Sequence, residues 1–442
     1  MSKNIVRNIV SAVVAVIIAV IAFTAGFFTR KCTQGSQLSS MEWALGIIEQ
    51  NYYFGGSDGL TDISLSAIAN NYLDKYSEYY TAEEYAQTIA SNQGAKSGIG
   101  ISYSFVENKG ILLNTVQGNS PAYKSGLRAG EYLVSGKSDG GEEITFSSSA
   151  DFLTLLDGVR DGVPVKLTSS DSTVYEVAKA AYTASYTTLY TNSSHWYFAD
   201  AETGGLSLRE EQTYEMSFLP DGFGYISISQ FYGSAAKEFA VLVEKFNASG
   251  CTSMIIDLRS DGGGYVDLMC EIAGSFTGGR REAAMYAIDK HGNKEVYYCI
   301  PAQESRRVPA GTSVYVLANS GTASASEALM GALICYGVLK YENIYLSDYS
   351  AEYLNWLYGL GQERKTAQTY GKGIMQSTFV NDNTGEALKL TTAQIYWPDG
   401  KTCIHDRGIT VADGCKTVSA DWVVSKGDAE LKSAVEQIKA AL

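Results

Sequence analysis

Histidine is scarce in this chain, with three in 442 residues, at positions 195, 291 and 405. The seven cysteines (32, 251, 270, 299, 335, 403, 415) include no CxxC and no Cys/His pair at zinc spacing. Both shortages argue against a metal centre, and no cofactor is expected. Long basic runs are missing too. The formal balance of 34 Lys and Arg against 48 Asp and Glu leaves −14, so no phosphate-binding stripe exists and nucleic acid is excluded as a partner. Internal repeats and low-complexity segments are absent. What remains, 45% apolar and 19% charged residues, describes a globular chain long enough for two or three folded units. The 31 tyrosines are spread over apolar and loop stretches alike and read as packing and surface residues.

One long apolar run stands apart. From Ile9 to Phe28 twenty residues carry no formal charge, enough for a helix to span a hydrocarbon core of roughly 30 Å. Lys3 and Arg7 precede it and Arg30 and Lys31 follow it, so the flanking charge sets no orientation. An uncleaved membrane anchor is expected. A cleaved signal peptide is the rival, although its apolar region is usually shorter and ends at a small-x-small site. Arg30-Lys31 before Cys32 does not suit a lipoprotein box.

Beyond a Thr33–Ser40 tether, Ser39-x-x-Glu42 and Thr81-x-x-Glu84 have capping-box form, and Ile63 to Tyr76 carries helical spacing. Strand signals dominate from 96 to 180, at 99–105, 111–116, 132–135, 163–168 and 173–178, with helices at 121–125 and 149–156. Residues 181–222, rich in Tyr, Ser and Thr, resist assignment. From Phe223 strands and helices alternate, which predicts an α/β core with functional groups at strand ends. Only Cys403 and Cys415 lie close together, across the turn-rich HDRGITVADG; a disulfide there competes with two free thiols.

Three stretches carry chemistry. In Val314–Leu333 a short apolar strand enters a small-residue loop, and a helix begins near Ser324. A serine there is ordinarily a cap, but Gly321, Thr322, Ala323 and Ala325 leave room for a substrate backbone beside free helix amides. Local chemistry does not choose between Ser324 and Ser326. A hydroxyl nucleophile needs a base, and Tyr370–Gln376 offers Lys372 between two glycines; an isolated GKG is otherwise a surface turn. Met254–Gly264 ends a strand in DLRSDGGG, whose glycines could aim amides at an anion. A nucleotide loop fits poorly, since neither GxGxxG nor GK[ST] is present.

In order, DLRSDGGG (257–264), GTASASE (321–327) and TYGKGIMQ (369–376) resemble the signatures of the C-terminal processing (tail-specific) peptidases. GYISISQF (224–231) and LKLTTAQIYWPDGKTCIHDRGIT (388–410) resemble the family's flanking patterns. KYSEYYTAEEY (75–85), GIGISYSF and NSPAYKSGLRAGEYL (119–133) resemble its pre-PDZ segment and PDZ domain. The likeness implies an α/β, crotonase-like (ClpP/crotonase-type) core with an inserted PDZ domain, a helical N-terminal region and one transmembrane helix. The boundaries are 1–32 (anchor or signal), 38–95 (helical), 96–180 (PDZ) and 181–442 (peptidase core).

By that resemblance Ser324 is the nucleophile, Lys372 its base and Gln376 the residue that positions the lysine. Gly263 and Ala325 are the oxyanion donors, and Gly98, Ile99, Gly100 and Ile101 form the loop that receives a chain terminus. Substrates are expected to be polypeptides with free C-termini, cleaved outside the cytoplasm by a single-pass membrane enzyme that could form a homo-oligomer. The sequence departs from the pattern at Thr322, which replaces a serine, at Gly262, where proline is common, and in a blurred GITVADG. An insertion at about 341–368 separates Ser324 from Lys372 by 372 − 324 = 48 positions. Rich in Tyr and Leu, it is expected to fold as a short helix around 351–358 over the cleft or at an oligomer contact. The competing readings are an inactive PDZ-containing binding protein of the same fold and a crotonase-type acyl-CoA enzyme.

Overall fold

The computed structural model describes residues 60–128, 130–191, 195–199, 206–209, 216, 218–349, 366–420 and 428–442. The expected anchor at Ile9–Phe28, the Ser39 capping box and the helix expected at 351–358 lie outside them. Among the described residues no helix is long and apolar enough to cross a membrane.

The chain divides into Met1–Tyr79 and Tyr80–Leu442. In the first unit α1 spans Leu60–Tyr72. It stops four residues short of the expected Tyr76, because Asp74 Oδ1 accepts the Tyr76 N–H (2.9 Å) and builds a side-chain turn in place of another helical one.

The second unit opens with α2 (Ala82–Asn92). Its capping box is as the sequence predicts: Thr81 N–H donates to Glu84 Oε2 (2.9 Å) and Glu84 N–H to Thr81 Oγ1 (3.3 Å). A ribbon of β1 (Ala95–Gly98) then pairs with the later β8 (Ala180–Thr183), marking entry to and exit from a small β-rich body. That body holds β2 (Ile101–Val106), β3 (Gly110–Val116), β4 (Tyr132–Ser138), β5 (Ile144–Thr145), β6 (Pro164–Ser169) and β7 (Val174–Ala178). The sheet runs β2-β3-β4-β6-β7, with β5 on β4, so β2 is an edge. Helices α3 (Pro121–Ser125) and α4 (Ser149–Asp157) belong to the same body, which closes over Ile111, Leu113, Leu133, Phe152 and Leu167.

Among the described residues the main sheet has eight strands. Five are parallel: β12 (Phe223–Ile228), β13 (Ser253–Asp257), β16 (Ser313–Ala318), β17 (Ile344–Tyr349) and β20 (Lys416–Ala420). Beside β12 three antiparallel strands extend it, β9 (Thr187–Thr191), β10 (His195–Ala199) and β11 (Leu206–Arg209). These occupy the stretch the sequence left unassigned. Their signal is weak because strand interiors here carry hydroxyls: Thr187 and Thr191 are fully buried. In the parallel strands both faces are covered, so they read as apolar runs. Met254, Ile256, Val314 and Val316 face a core shared with α5 (Ala235–Ala248), α6 (Val266–Gly274) and α7 (Ala325–Cys335). The alternate residues Ile255, Tyr315 and Leu317 meet the C-terminal helix α8 (Ala429–Ala441) through Leu431, Val435 and Ile438. The antiparallel strands β14 (Ala283–Asp289), β15 (Lys294–Tyr298), β18 (Ile374–Val380) and β19 (Ala387–Tyr396) pair in the order β15-β14-β19-β18.

Cys403 and Cys415 are free thiols, so the disulfide reading does not hold in this structure. Burial and the neighbouring Asp413 carboxylate push the Cys415 thiol up to about 12.

Candidate active site

Neighbouring parallel strands β13 and β16 deliver their C-terminal ends to the same place. From β13 comes the turn 258–265, from β16 the loop 319–324, and hydrogen bonds tie the two. Leu258 N–H donates to Leu317 O (2.9 Å), Ser260 N–H to Asn319 Oδ1 (2.8 Å), and Ala323 N–H to Asp261 O (2.9 Å). Thr322 does more than pack. Its hydroxyl donates to Leu258 O (2.7 Å) and accepts from Asn319 N–H (3.0 Å), so a β-branched alcohol can stand at this position.

Ser324 sits between loop and helix at φ 58°, ψ −116°. A non-glycine residue pays about 1–3 kcal/mol for such a backbone, which persists only where its surroundings impose it. Here Ala323 is held by Asp261 O on one side, and Ser324 N–H is held by Glu327 Oε2 (3.0 Å) on the other. Ser326 differs: it is fully buried and its hydroxyl donates to Asp261 O (3.0 Å). The structure thus separates the two serines, Ser326 as an internal strut and Ser324 as the half-buried one at the turn.

Glu327, which sequence reasoning left without a role, joins the site together. Its carboxylate lies fully buried and accepts Thr369 Oγ1–H (2.5 Å) and Gly371 N–H (2.8 Å) on Oε1. Oε2 takes Lys372 N–H (2.9 Å) together with Ser324 N–H. Burial pushes the carboxyl up, and these donors pull it back. One side chain therefore binds the backbone of the serine and of the lysine. The available signal was the acid three residues after Ser324, in a capping-box position.

Tyr370 N–H donates to Thr322 O (3.0 Å), which adds a second tie from the lysine segment to the serine loop. Lys372 is half-buried. Its flanking glycines are explained by contact: a Cβ on Gly371 would lie 2.8 Å from Gly408 N, and one on Gly373 2.6 Å from His405 N. Gln376, on β18, donates through Nε2 to Thr391 Oγ1 (3.0 Å). His405 therefore packs against Gly373, with Nδ1 buried and without a hydrogen-bond partner among the described residues. His291 sits in an exposed turn.

Gly263 closes against the serine. A Cβ there would meet Ala323 O at 2.7 Å, Ala325 N at 2.8 Å and Ser324 Cβ at 2.9 Å, so only glycine allows the approach. Its N–H donates to Asp261 Oδ1 (2.9 Å) and is occupied in this structure, whereas Ala325 N–H lies in the first turn of α7, where helices leave their amides free. Asp261 is fully buried, Oδ2 has no partner among the described residues, and burial raises its carboxyl well above the ordinary range. In the small β-rich body Gly98 ends β1, Ile99 O accepts Ala122 N–H (2.9 Å), Gly100 O accepts Gln117 N–H (2.8 Å), and Ile101 begins β2. Among the described residues no cluster of His, Cys, Asp and Glu could hold a metal.

Residues 222–339, which contain both the DLRSDGGG turn and the Ser324 loop, match the model of peptidase family S41. The match covers this stretch alone, about a quarter of the chain. The chain is 24% identical over 376 residues to the "Probable CtpA-like serine protease" of Staphylococcus haemolyticus (strain JCSC1435), covering 84% of this chain and 64% of the relative. For the protein of the same name in Staphylococcus aureus (strain COL) the identity is 25% over 386 residues, with 85% and 64% covered. The chain thus spans 64% of the length of these curated relatives. A solved structure described as a "Putative S41 protease from Bacteroides fragilis NCTC 9343" superposes with a TM-score of 0.53 at 13% identity, covering 90% of this chain and 97% of that one, a likeness of fold.

Proposed function

We propose that this chain is a membrane-tethered serine endopeptidase of the S41 type that cleaves polypeptide C-terminal tails with a Ser324/Lys372 pair. The observation that carries the reading is Glu327, whose Oε2 accepts both Ser324 N–H and Lys372 N–H and so brings a strained serine and a glycine-flanked lysine together. The two staphylococcal relatives, each named a probable CtpA-like serine protease, agree with it. In this mechanism neutral Lys372 takes the hydroxyl proton as Ser324 Oγ attacks the scissile carbonyl. Ala325 N–H, at a helix start, meets the developing oxyanion; the amine leaves with a proton from the lysine, and water releases the acyl group. Gln376 contributes by ordering the strand that follows the lysine.

Residues 96–180 act as a PDZ domain in this reading. Support comes from the edge position of β2, which is open to an added strand, and from Tyr103 against Phe152 (4.8 Å, edge to face) between β2 and α4. Gly98 to Ile101 then receive the terminal carboxylate. Ile9–Phe28 supplies the anchor, with the catalytic unit outside the cytoplasm.

The test is cleavage of an unfolded casein and labelling by a fluorophosphonate. Ser324→Ala and Lys372→Ala should each abolish turnover with folding intact, and the double variant should be little worse than either. Labelling should vanish in Ser324→Ala. Retained cleavage by Ser324→Ala, or loss in Ser326→Ala alone, refutes the assignment. Equal cleavage of a peptide and its C-terminal amide refutes recognition of the terminus.

A further inference from the structure

We infer that Asp261 gates the oxyanion site: its carboxyl competes with the transition state for the Gly263 amide, and only the neutral acid yields it. The inference rests on the reading of Ser324 as nucleophile. Gly263 lies against Ser324 and Ala325, yet its N–H is bonded to Asp261 Oδ1 at 2.9 Å. Asp261 cannot swing away freely. Its own backbone oxygen is pinned by Ala323 N–H (2.9 Å) and the Ser326 hydroxyl (3.0 Å), and the residue is fully buried. Oδ2 has no partner among the described residues.

An ionised carboxylate is a charge-assisted acceptor, roughly twice as strong as a neutral one. It would keep the amide and set a negative charge beside the forming oxyanion. A neutral carboxyl accepts weakly, and an oxyanion outcompetes it. The surroundings favour the neutral form. Burial acts first and outweighs the Gly263 and Ser326 donors, which favour the ionised form, and the Asp257 carboxylate at the end of β13 adds to burial. Tyr232, before α5, faces Asp261 as a second acidic group and is itself flanked by Tyr265 and Lys389. From α7 come uncharged Ser326 and the already occupied Glu327, and Lys372 lies on the segment that Glu327 holds. The proton leaves to solvent as pH rises and returns as it falls, with no other reactant.

The discriminating variant is Asp261→Asn, isosteric and unable to ionise. Casein cleavage by the full chain is followed from about pH 6 to about pH 10, beside far-UV circular dichroism. The parent should lose kcat on the alkaline side by about tenfold or more, with KM little changed, while Asp261→Asn shows no alkaline fall. Superimposable profiles, a parent without the alkaline fall, or a fall that tracks loss of ellipticity each overturn the gate. Retained cleavage by Ser324→Ala would take the gate down together with the nucleophile, a failure recognised by fluorophosphonate labelling elsewhere in the chain.

Discussion

Glu327→Gln changes one atom and tests whether the serine and the lysine are assembled by a single carboxylate. Four donors converge on its two oxygens: Thr369 Oγ1–H and Gly371 N–H on Oε1, Ser324 N–H and Lys372 N–H on Oε2. A glutamine keeps one acceptor and turns the other oxygen into a donor, so two of the four bonds are replaced by donors facing donors. At about 1.5–3 kcal/mol for each bond to a charged acceptor, the loss is about 3–6 kcal/mol, lessened because a neutral amide is easier to bury than a carboxylate. Whichever way the amide turns, either Ser324 or Gly371 loses its tether. If the two act as proposed, a shift of about 1 Å between Ser324 and Lys372 costs on the order of 100-fold in rate. The expected outcome is a fall in kcat of about that size, with the thermal midpoint lowered by several degrees. Glu327→Asp should fare no better, since a shorter side chain cannot reach both segments. Casein turnover and a thermal melt, measured on the same preparation, give both readouts. A Gln variant with parental kcat would refute the reasoning, because the four bonds would then be incidental to the geometry.

Gly371→Ala and Gly373→Ala should each abolish cleavage and destabilise the fold by about 1–3 kcal/mol, since the new Cβ meets backbone atoms at 2.8 and 2.6 Å and Gly371 also has φ +84°; a urea titration with rate measurements checks this. Arg259→Met should destabilise by about 3–5 kcal/mol in the same titration. It strands Asp257, Asp428 and Glu430, whose carboxylates all bond to this one guanidinium, with Nη1 at 2.9 Å from Asp428 Oδ1 and 2.6 Å from Glu430 Oε2.

The sequence made legible those elements in which periodicity and capping agree. The Thr81–Glu84 box, the helices at 121–125 and 149–157 and the parallel strands 253–257 and 313–318 all follow from local pattern. Strands β9 to β11 were not legible, because buried hydroxyls at Thr187 and Thr191 erase the apolar alternation on which strand reading depends. The three short motifs named the stretches of the candidate site, whereas the roles of individual atoms came from contact. No spacing rule tells that Glu327 reaches 44 positions onward to Gly371, or that Asp261 takes the Gly263 amide. Thr322, which replaces a serine of the family pattern, proves to be a strut, and the sequence is silent on this for the same reason. Such roles depend on which loops share an end of the sheet, which is a property of the topology.

The 48-position gap between Ser324 and Lys372 illustrates the point. Along the chain it looks like a threat to the geometry; in space it is bypassed. Segment 366–373 is fixed independently of what precedes it. Ala367 N–H donates to Ser347 O (2.8 Å), Thr369 N–H to Ile409 O (2.9 Å) and Tyr370 N–H to Thr322 O (3.0 Å), and Asp406 N–H donates to Gly371 O (2.9 Å). Glu327 closes the arrangement from α7. With both ends held, extra residues between them add mainly loop-closure entropy, about 0.6 kcal/mol for each doubling of length. That is less than one of the bonds Glu327 makes. A longer connection is therefore compatible with an intact pair, and any effect of the insertion on cleavage must come from what it covers and not from where it leaves Lys372.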